Sequence, residues 1–446
     1  MTFLQRVLAH PESYNFQIAT LGPCQVNSPV RNRAFVGLNE RCALTSDVAS
    51  LMPFATAGGP VPSFEKAGPH ARIFHDQAWS RAAILTAGGL CPGLNHVIKG
   101  LVEILATEYN VRTIYGIRYG YRGLVAQHGC SPILLDPDSV DAIHERGGTI
   151  LGSSRGNQQV SEMVETLTRM NINLLFCIGG DGTLRGARAI AEECLRRKLA
   201  ISVVGVPKTI DNDLNFIGNS FGFATAVAET SAIIQSAHME AKGAYNGIGL
   251  VKLMGRDSGF IAASAALANP IVNFCLIPES PFTLEGPGGL FPALARRFAV
   301  GKDHVVLVVA EGAGQELIAA EAERRDASGN VLKKDIGELL RQAIPAYFAT
   351  RQTEVSMKYF DPSYSIRSVP AKGTDAIHCY LLARNAVHAA MAGRTNCVVG
   401  NQHGATYSLV PIELATMERQ KVDLDGDLWK AVLDATGQDR LMNPEP

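Results

Sequence analysis

The stretch "LLFCIGGDGTLRGARAIAEECLRRK", residues 174–198, gives the clearest indication of the fold in this chain of 446 residues. It begins with a short apolar run, which is typical of a strand covered on both faces. A glycine-rich turn follows, and then a segment whose apolar residues recur at helical spacing. A strand, a tight turn and a helix in this order predict one unit of a parallel sheet with crossover helices.

The same alternation extends along most of the chain. Apolar runs predict five further strands, at residues 82–86, 201–206, 248–253, 273–278 and 304–310. Amphipathic segments lie between them, as crossover helices require. We therefore expect an α/β fold with two Rossmann-like, doubly wound parallel-sheet domains. Residues 1–80 are rich in proline and glycine, and we interpret them as an N-terminal extension.

Composition excludes several classes of protein. The formal net charge is −1, so no global field attracts nucleic acid or an anionic membrane. No apolar run approaches the ~18 residues of a membrane span. The nine cysteines form no Cys-x-x-Cys pair, which argues against a disulfide framework or a zinc ribbon. We expect a cytoplasmic enzyme with no nucleic-acid or membrane partner.

Three glycine-rich or polar turns follow predicted strands. They are "TAGGLCPGLN" at 86–95, "GGDGT" at 179–183 and "PKTIDND" at 207–213. In open α/β sheets, ligands bind outside the carboxyl ends of the strands. We expect the three turns to meet at one edge of a sheet and to form a ligand site there.

The turn "GGDGT" surrounds Asp181 with three glycines. One interpretation is a simple turn, because aspartate and glycine are good turn formers. The other is a carboxylate that holds Mg²⁺ beside a phosphate chain, since Mg²⁺ needs only one or two such ligands. Phosphofructokinases, NAD kinases and diacylglycerol-type lipid kinases share this motif. It therefore indicates phosphoryl transfer but does not identify the substrate.

The turn "PKTIDND" carries two aspartates. If the segment is extended, Asp211 and Asp213 point to opposite sides, so only one of them faces a substrate. Asp211 is the candidate general base, which would accept the proton of a sugar hydroxyl as that hydroxyl attacks the phosphoryl group. Helix capping by Asp213 or Asn215 is the structural alternative.

With these motifs in place, the chain resembles the phosphofructokinase family. The motifs occur in the family's order over about residues 82–400, and they are "LTAGGLCPGLN", "GGTILGSSRG", "IGGDGT", "PKTIDND", "LVKLMGRDSGFIA", "VAEGAG" and "YSIR". The resemblance implies phosphoryl transfer from ATP to the 1-hydroxyl of fructose 6-phosphate, a step of glycolysis. NAD and lipid kinases share only the first glycine–aspartate phrase. A non-catalytic regulatory subunit that binds sugar phosphates is a further alternative, although it has no need of Asp211.

The resemblance also implies roles for individual residues. Asp211 would be the general base, Arg256 a second catalytic residue and Asp181 the ligand of Mg²⁺. The residues implied to bind the donor are Gly88, Arg155, Gly156, Gly180, Asp181, Gly182 and Thr183. Those implied to bind fructose 6-phosphate are Thr209, Ile210, Asp211, Met254, Gly255, Arg256, Glu311, Lys358, Tyr364 and Arg367.

Domain organisation follows from the same resemblance. It implies a donor-binding domain of residues 81–222 plus 366–411 and a fructose 6-phosphate-binding domain of residues 223–365 plus 412–446. It also implies a homo-oligomer, either a dimer or a tetramer. One departure is Gly247, which stands seven residues before Met254, where many family members place an arginine that a neighbouring subunit uses.

The identity of the donor depends on two positions. In the family, ATP users generally have glycine after the metal-binding aspartate and before "TIDND", whereas pyrophosphate users have aspartate and lysine. This chain has Gly182 and Lys208, one from each pattern. A carboxylate at 182 would exclude the α-phosphate of a nucleotide, while an ammonium at 208 can serve either donor. Gly182 therefore favours ATP, as in the branch that includes the trypanosomatid enzymes, and pyrophosphate is the alternative.

Overall fold

The computed structural model describes residues 2–31, 34–318, 333–402, 404 and 406–439. It divides into two compact units, each built from separate stretches of the chain. The first unit contains residues 1–209, 214–222 and 368–418, and the second contains 210–213, 223–367 and 419–446. The residues interpreted as an N-terminal extension belong to the first unit. Parts of the sugar-binding domain implied above, 319–332 and 440–446, lie outside the described residues.

The described residues form seventeen strands and twelve α-helices. The strands are β1 (Ala19–Thr20), β2 (Val26–Asn27), β3 (Arg41–Ala43), β4 (Ser63–Lys66), β5 (Arg72–Ile73), β6 (Arg81–Thr86), β7 (Thr113–Ile117), β8 (Ile133–Leu135), β9 (Leu174–Gly179), β10 (Ser202–Pro207), β11 (Gly247–Leu253), β12 (Phe274–Leu276), β13 (His304–Ala310), β14 (Ser356–Phe360), β15 (Arg394–Thr395), β16 (Cys397–Gln402) and β17 (Thr406–Pro411). The helices are α1 (Phe3–Ala9), α2 (Val48–Thr56), α3 (Leu94–Thr107), α4 (Val160–Arg169), α5 (Asp181–Arg196), α6 (Phe223–Lys242), α7 (Phe260–Ala268), α8 (Leu290–Ala299), α9 (Ile336–Ala349), α10 (Gly373–Met391), α11 (Ile412–Thr416) and α12 (Asp427–Thr436).

The first unit contains a nine-stranded sheet in the order β3-β4-β17-β16-β10-β9-β6-β7-β8. Its centre, from β16 to β7, is parallel. Strands β9 and β10 are buried along their whole length, which explains why the sequence shows continuous apolar runs there. Antiparallel strands complete both edges.

Helices cover this sheet. Leu175 and Cys177 of β9 share a buried cluster with Leu184 and Ile190 of α5. Helix α3 packs against α10, and α10 in turn contacts β10. The continuous apolar runs of the strands and the 3.6-residue pattern of the helices thus meet in one core, as a doubly wound unit requires.

The second unit is built on a four-stranded, entirely parallel sheet in the order β12-β13-β11-β14. Its core combines Leu250 and Leu307 from the strands with Leu290 of α8 and Leu340 of α9. Helices α6 and α7 also contact this sheet. The prediction of two α/β units with parallel sheets is confirmed.

Candidate active site

The turn after β6 adopts a backbone conformation that favours glycine. Gly88 has a φ of +87°, and a Cβ added there would lie 3.1 Å from Lys208 Nζ and 3.8 Å from Thr183 Oγ1. The Gly88 N–H donates to the carbonyl oxygen of Ser154 at 3.1 Å. The predicted donor residues Gly88 and Thr183 therefore lie beside Lys208, at the carboxyl ends of β6, β9 and β10.

The turn after β9 leads directly into helix α5, whose first residue is Asp181. A Cβ added at Gly182 would meet no atom within 4 Å, whereas one added at Gly180 would lie 3.1 Å from the carbonyl oxygen of Lys208. The start of α5 thus presents backbone N–H groups and open space, which suits an anion. Gly182 borders that space.

A carboxylate and a guanidinium lie together at this helix start. Arg185 Nε is 3.1 Å from Asp181 Oδ1, and the Asp181 side chain is only 15% exposed. Sequence reasoning missed Arg185, although its spacing of four residues from Asp181 on a predicted helix is the signal for such a pair. Arg185 also donates to the carbonyl oxygen of Thr416 at 3.0 Å.

Two other predicted donor residues lie in the segment after Gly152, and a third is on α5. Arg155 is exposed, and Gly156 has a φ of +100°. The Ser153 hydroxyl donates to the Gly88 carbonyl oxygen at 2.6 Å, so this segment lies against the first glycine turn. Thr183 is buried, and its carbonyl oxygen accepts a hydrogen bond from the Tyr121 hydroxyl.

The donor set fits a magnesium ion that is shared with a phosphate chain. Asp181 is the carboxylate at the open end of α5. The described part of the chain has no group of three or more histidine, cysteine, aspartate or glutamate residues that could hold a metal by itself. Mg²⁺ commonly takes one or two carboxylates and completes its shell with water and substrate phosphates.

In the second unit, the carboxyl ends of β11 and β13 bring two predicted sugar-binding residues together. Arg256 Nε lies 3.8 Å from Glu311 Oε1. The Glu311 N–H donates to the carbonyl oxygen of Leu253 at 2.9 Å, which ties the two strand ends. Gly255 has a φ of +128°, and a Cβ there would lie 2.5 Å from the carbonyl oxygen of Ser258, so the turn requires glycine.

One carboxylate oxygen of Glu311 is available to accept a hydrogen bond. Its Oε1 is buried and makes no hydrogen bond to any described residue. Burial raises the pKa of Glu311, and the charge of Arg256 opposes that rise. A buried carboxylate oxygen without a donor costs free energy, which a ligand hydroxyl would recover.

Asp211 lies in the same unit as this pair. Its carbonyl oxygen accepts a hydrogen bond from the Ser258 hydroxyl at 3.0 Å. Burial raises the pKa of Asp211 to about 8; the negative charges of Asp213 and Glu311 add to the rise, while Arg256 and Arg419 oppose it. A carboxylate whose pKa lies near the working pH suits a general base.

The capping alternative for Asp213 and Asn215 is wrong. No helix begins near them among the described residues, since the next one starts at Phe223. Asp213 Oδ2 instead accepts from Arg419 Nη1 at 2.8 Å. The Asn215 side chain donates to the carbonyl oxygen of Glu418.

The remaining predicted sugar-binding residues differ in their placement. Ile210 is buried, and the carbonyl oxygen of Thr209 accepts from the Ser220 hydroxyl at 2.6 Å. The Arg367 guanidinium lies 4.7 Å from the ring centroid of Tyr364, and Tyr364 is 76% exposed. Lys358 is paired with Gly249, four residues before the end of β11, so it does not lie at the carboxyl edge.

A buried lysine that sequence reasoning missed lies beside this group. Lys252 Nζ is 2.8 Å from Asp361 Oδ2 and 3.1 Å from Asp335 Oδ2. Burial disfavours its charge, yet hydrogen bonds to these two carboxylates hold the pKa of Lys252 above its usual value. The cluster joins the end of β11 to the segment after β14 that leads to Arg367.

Two further observations concern the chain as a whole. Within the described ranges, no helix is both long and apolar enough to cross a membrane. All nine cysteines lie in those ranges, and each is a free thiol.

The chain is similar to several known proteins. A family model described as phosphofructokinase matches residues 81–390. An ATP-dependent 6-phosphofructokinase of Borreliella burgdorferi is 46% identical over 96% of this chain and 97% of its own length. A protein of the same name from Amycolatopsis methanolica is 46% identical over 95% of each chain. The ATP-dependent 6-phosphofructokinase of Trypanosoma brucei brucei is 46% identical over 83% of this chain and 76% of its own.

Solved structures share the fold at much lower identity. A pyrophosphate-dependent phosphofructokinase from Marinobacter aquaeolei matches with a TM-score of 0.63 and 20% identity, over 82% of this chain and 94% of that one. Pichia pastoris phosphofructokinase matches with a TM-score of 0.62 and 18% identity, over 80% of this chain and 36% of that one. At such identities the likeness concerns the fold alone.

Proposed function

The chain belongs to the phosphofructokinase family, and on that premise we propose that it is an ATP-dependent 6-phosphofructokinase. It transfers the γ-phosphoryl group of ATP to the 1-hydroxyl of D-fructose 6-phosphate, which gives fructose 1,6-bisphosphate and ADP, a reaction of glycolysis. The observation that carries this proposal is the identity of 46%, over 95% or more of both chains, with two relatives named for that activity.

The first unit supplies the donor-binding residues in this proposal. Gly88, Gly180 and Gly182 leave room for phosphates beside backbone N–H groups, and the start of α5 adds its partial positive charge. Thr183, Arg155 and Gly156 complete the donor set. Lys208 contributes a positive charge against the transferred phosphate.

Asp181 would hold Mg²⁺ in this proposal. When bound, the ion would neutralise charge on the donor phosphates and help to align them. Arg185, which is 3.1 Å from Asp181 in the structure, would then turn toward the phosphates as a second positive charge. This proposal follows from the open space at Gly182 and from the glycines on both sides of Asp181.

The second unit supplies the acceptor-binding residues and the base. Arg256 and Arg367 offer planar guanidinium groups that match a sugar phosphate. The buried Oε1 of Glu311 would accept a hydrogen bond from a sugar hydroxyl. Met254, Gly255, Ile210, Lys358 and Tyr364 complete the set proposed for this unit. Thr209, in the first unit, is also proposed to bind the sugar phosphate.

The proton and the phosphoryl group move in opposite directions. The 1-hydroxyl oxygen forms a bond to the γ-phosphorus while the bond from that phosphorus to the bridging oxygen breaks, and ADP leaves. The Asp211 carboxylate takes the hydroxyl proton. Its raised pKa makes it a stronger base than an ordinary aspartate, and Arg256 supplies positive charge beside it.

In this proposal ATP is the donor. Pyrophosphate is the alternative, and Lys208 is the one residue that favours it. The solved pyrophosphate-dependent neighbour is 20% identical and carries no argument about the donor. Gly182 leaves open the volume that a nucleotide α-phosphate needs. The presence of Asp181, Asp211 and Arg256 together argues against a regulatory subunit without activity, because such a subunit has no need of a general base.

Location and assembly belong to the same proposal. Nine free thiols suit a reducing compartment, and we place the enzyme in the cytoplasm. We also propose a homo-oligomer, either a dimer or a tetramer, in which a neighbouring chain provides ligands for the substrate phosphate. Gly247 has no side chain and cannot be such a ligand.

The proposal is tested by turnover of the purified protein with ATP, MgCl₂ and fructose 6-phosphate. We expect fructose 1,6-bisphosphate and ADP in equal amounts, identified by ³¹P NMR and by a coupled aldolase assay. Glucose 6-phosphate and NAD serve as control acceptors and should remain unphosphorylated. Phosphorylation of either control in preference to fructose 6-phosphate would contradict the proposal.

A further inference from the structure

Arg419 lies outside the residues that match the family model, yet it contacts carboxylates beside both proposed catalytic residues. Its Nη1 lies 2.8 Å from Asp213 Oδ2 and 3.3 Å from Asp257 Oδ2. Asp213 follows Asp211 by two residues, and Asp257 directly follows Arg256. One guanidinium nitrogen therefore joins the loop of the proposed base to the loop of the proposed phosphate-binding arginine.

Two further hydrogen bonds support this arrangement: one ties the Asp211 loop to the segment of Arg419, and the other ties the two loops to each other. The N–H of Gln420, next to Arg419, donates to the carbonyl oxygen of Asp213 at 2.8 Å. The Ser258 hydroxyl, next to Asp257, donates to the carbonyl oxygen of Asp211 at 3.0 Å. The Asp211 loop is thus bonded to the backbone beside Arg419 and to Ser258 of the Arg256 loop.

The pair of Arg419 with Asp213 is sheltered from solvent, whereas the Asp257 side chain is 36% exposed. The Asp213 side chain is 6% exposed and that of Arg419 is 24% exposed. Asp257 has a second partner, Lys333, at 2.9 Å. Removing one member of a buried pair leaves an uncompensated charge, which is much more costly than losing a surface ion pair. Loss of Arg419 would therefore leave the buried charge of Asp213 without this compensating cation.

We propose that Arg419 is a positioning residue of the phosphoryl-transfer reaction. It holds the Asp211 loop and the Arg256 loop together and offsets the charge of Asp213 beside the base. This inference rests on the proposed function, because it assigns Arg419 a role through Asp211 and Arg256 and not through direct contact with substrate.

The charges that face Asp211 predict a signature in the pH profile. Asp213 and Glu311 are negative, and Arg256 and Arg419 are positive. Loss of Arg419 would leave two carboxylates opposed by one cation, so the pKa of Asp211 would rise further. Because the base acts in its deprotonated form, the acid limb of kcat/KM for fructose 6-phosphate would move to higher pH.

The experiment compares Arg419→Met and Arg419→Gln with Arg419→Lys, which keeps the charge, and with the double variant Asp213→Asn/Arg419→Met. Arg341→Met is the matched control, since Arg341 makes an exposed ion pair with Glu338 on α9 of the same unit. For each protein we would measure kcat, KM and kcat/KM with ATP and fructose 6-phosphate from about pH 6 to about pH 9, and the melting temperature.

We expect both uncharged variants to lose roughly tenfold or more in kcat/KM at neutral pH and to show the upward shift of the acid limb. Arg419→Lys should keep the position of the limb, and Asp213→Asn in the double variant should return it toward that of the wild type. If Arg419→Met fails to fold, Arg419→Gln and the double variant decide. Profiles of the uncharged variants that superimpose on that of Arg341→Met would overturn the inference. A wild-type protein inactive with ATP and fructose 6-phosphate would instead refute the proposed function.

Discussion

The ammonium group of Lys208 donates a hydrogen bond to the carbonyl oxygen of Gly89. Lys208 is 5% exposed, and its own N–H donates to the carbonyl oxygen of Gly179 at 3.0 Å. Lys208 therefore connects the turns that follow β6, β9 and β10. Lys208 belongs to the pattern of the pyrophosphate users in the family, whereas Gly182 belongs to that of the ATP users. The hydrogen bond to Gly89 gives Lys208 a structural role that does not depend on the donor.

Replacing Lys208 with methionine should weaken the donor site. We expect KM for ATP to rise roughly tenfold, because the variant loses a charge-assisted hydrogen bond and a positive charge near the phosphates. KM for fructose 6-phosphate should change much less. Steady-state kinetics with each substrate varied in turn measures both. Lys430→Met, at an exposed position of α12, is the control; equal KM values for ATP in the two variants would refute the role of Lys208.

Replacing Gly182 with aspartate should exclude ATP without disturbing the fold. A Cβ at this position meets no atom within 4 Å, so the protein itself can accommodate a side chain. The added carboxylate would repel the α-phosphate, and we expect kcat/KM for ATP to fall roughly a hundredfold. Gly182→Ala separates steric from electrostatic effects and should retain most activity. Full ATP turnover by Gly182→Asp, at an unchanged melting temperature, would show that Gly182 does not select the donor.

Replacing Asp211 with asparagine should remove most turnover and keep substrate binding. Loss of a general base typically costs roughly 10²–10⁴-fold in kcat. Asparagine keeps the shape of the side chain, so the dissociation constant of fructose 6-phosphate, measured by calorimetry, should change little. Unchanged kcat would remove Asp211 from the mechanism.

The same substitution should stabilise the folded protein as the pH rises. A carboxyl group whose folded-state pKa is raised from 3.8 to about 8 holds its proton in the folded protein at pH values where the unfolded chain has lost it. The wild type therefore loses stability between about pH 4 and about pH 8, and the neutral asparagine does not. Thermal melts should show a difference in favour of Asp211→Asn that grows over this range. A constant difference would mean that the pKa of Asp211 is not raised.

Much of the fold could be predicted because its signals are local. The central strands β9, β10 and β11 are buried along their whole length, so each appears in the sequence as an uninterrupted apolar run. The start of α5 at Asp181 follows from the glycine turn that precedes it. Strands β3, β4 and β17, on one side of the sheet, pair antiparallel, and β3 and β4 are only three and four residues long. They lack such apolar runs, and the sequence pattern did not reveal them.

The site was predictable only where residues lie within motifs. Asp211, Arg256 and Glu311 belong to such motifs, and the structure groups them in the second unit. The partner of Asp213, Arg419, is 206 residues away along the chain. No local sequence pattern indicates such a contact, so helix capping was the interpretation that the sequence offered. Lys252 belongs to the quoted motif "LVKLMGRDSGFIA", but its partners Asp335 and Asp361 come from distant segments.

The choice between the two donors is tested by the ratio of kcat/KM for ATP to that for pyrophosphate, measured on the purified protein with fructose 6-phosphate and MgCl₂. Gly182 borders open space and Lys208 is bonded to Gly89, so we predict turnover with ATP. The kcat/KM for pyrophosphate should be at least roughly a hundredfold lower than that for ATP. Turnover with pyrophosphate and none with ATP would contradict the account.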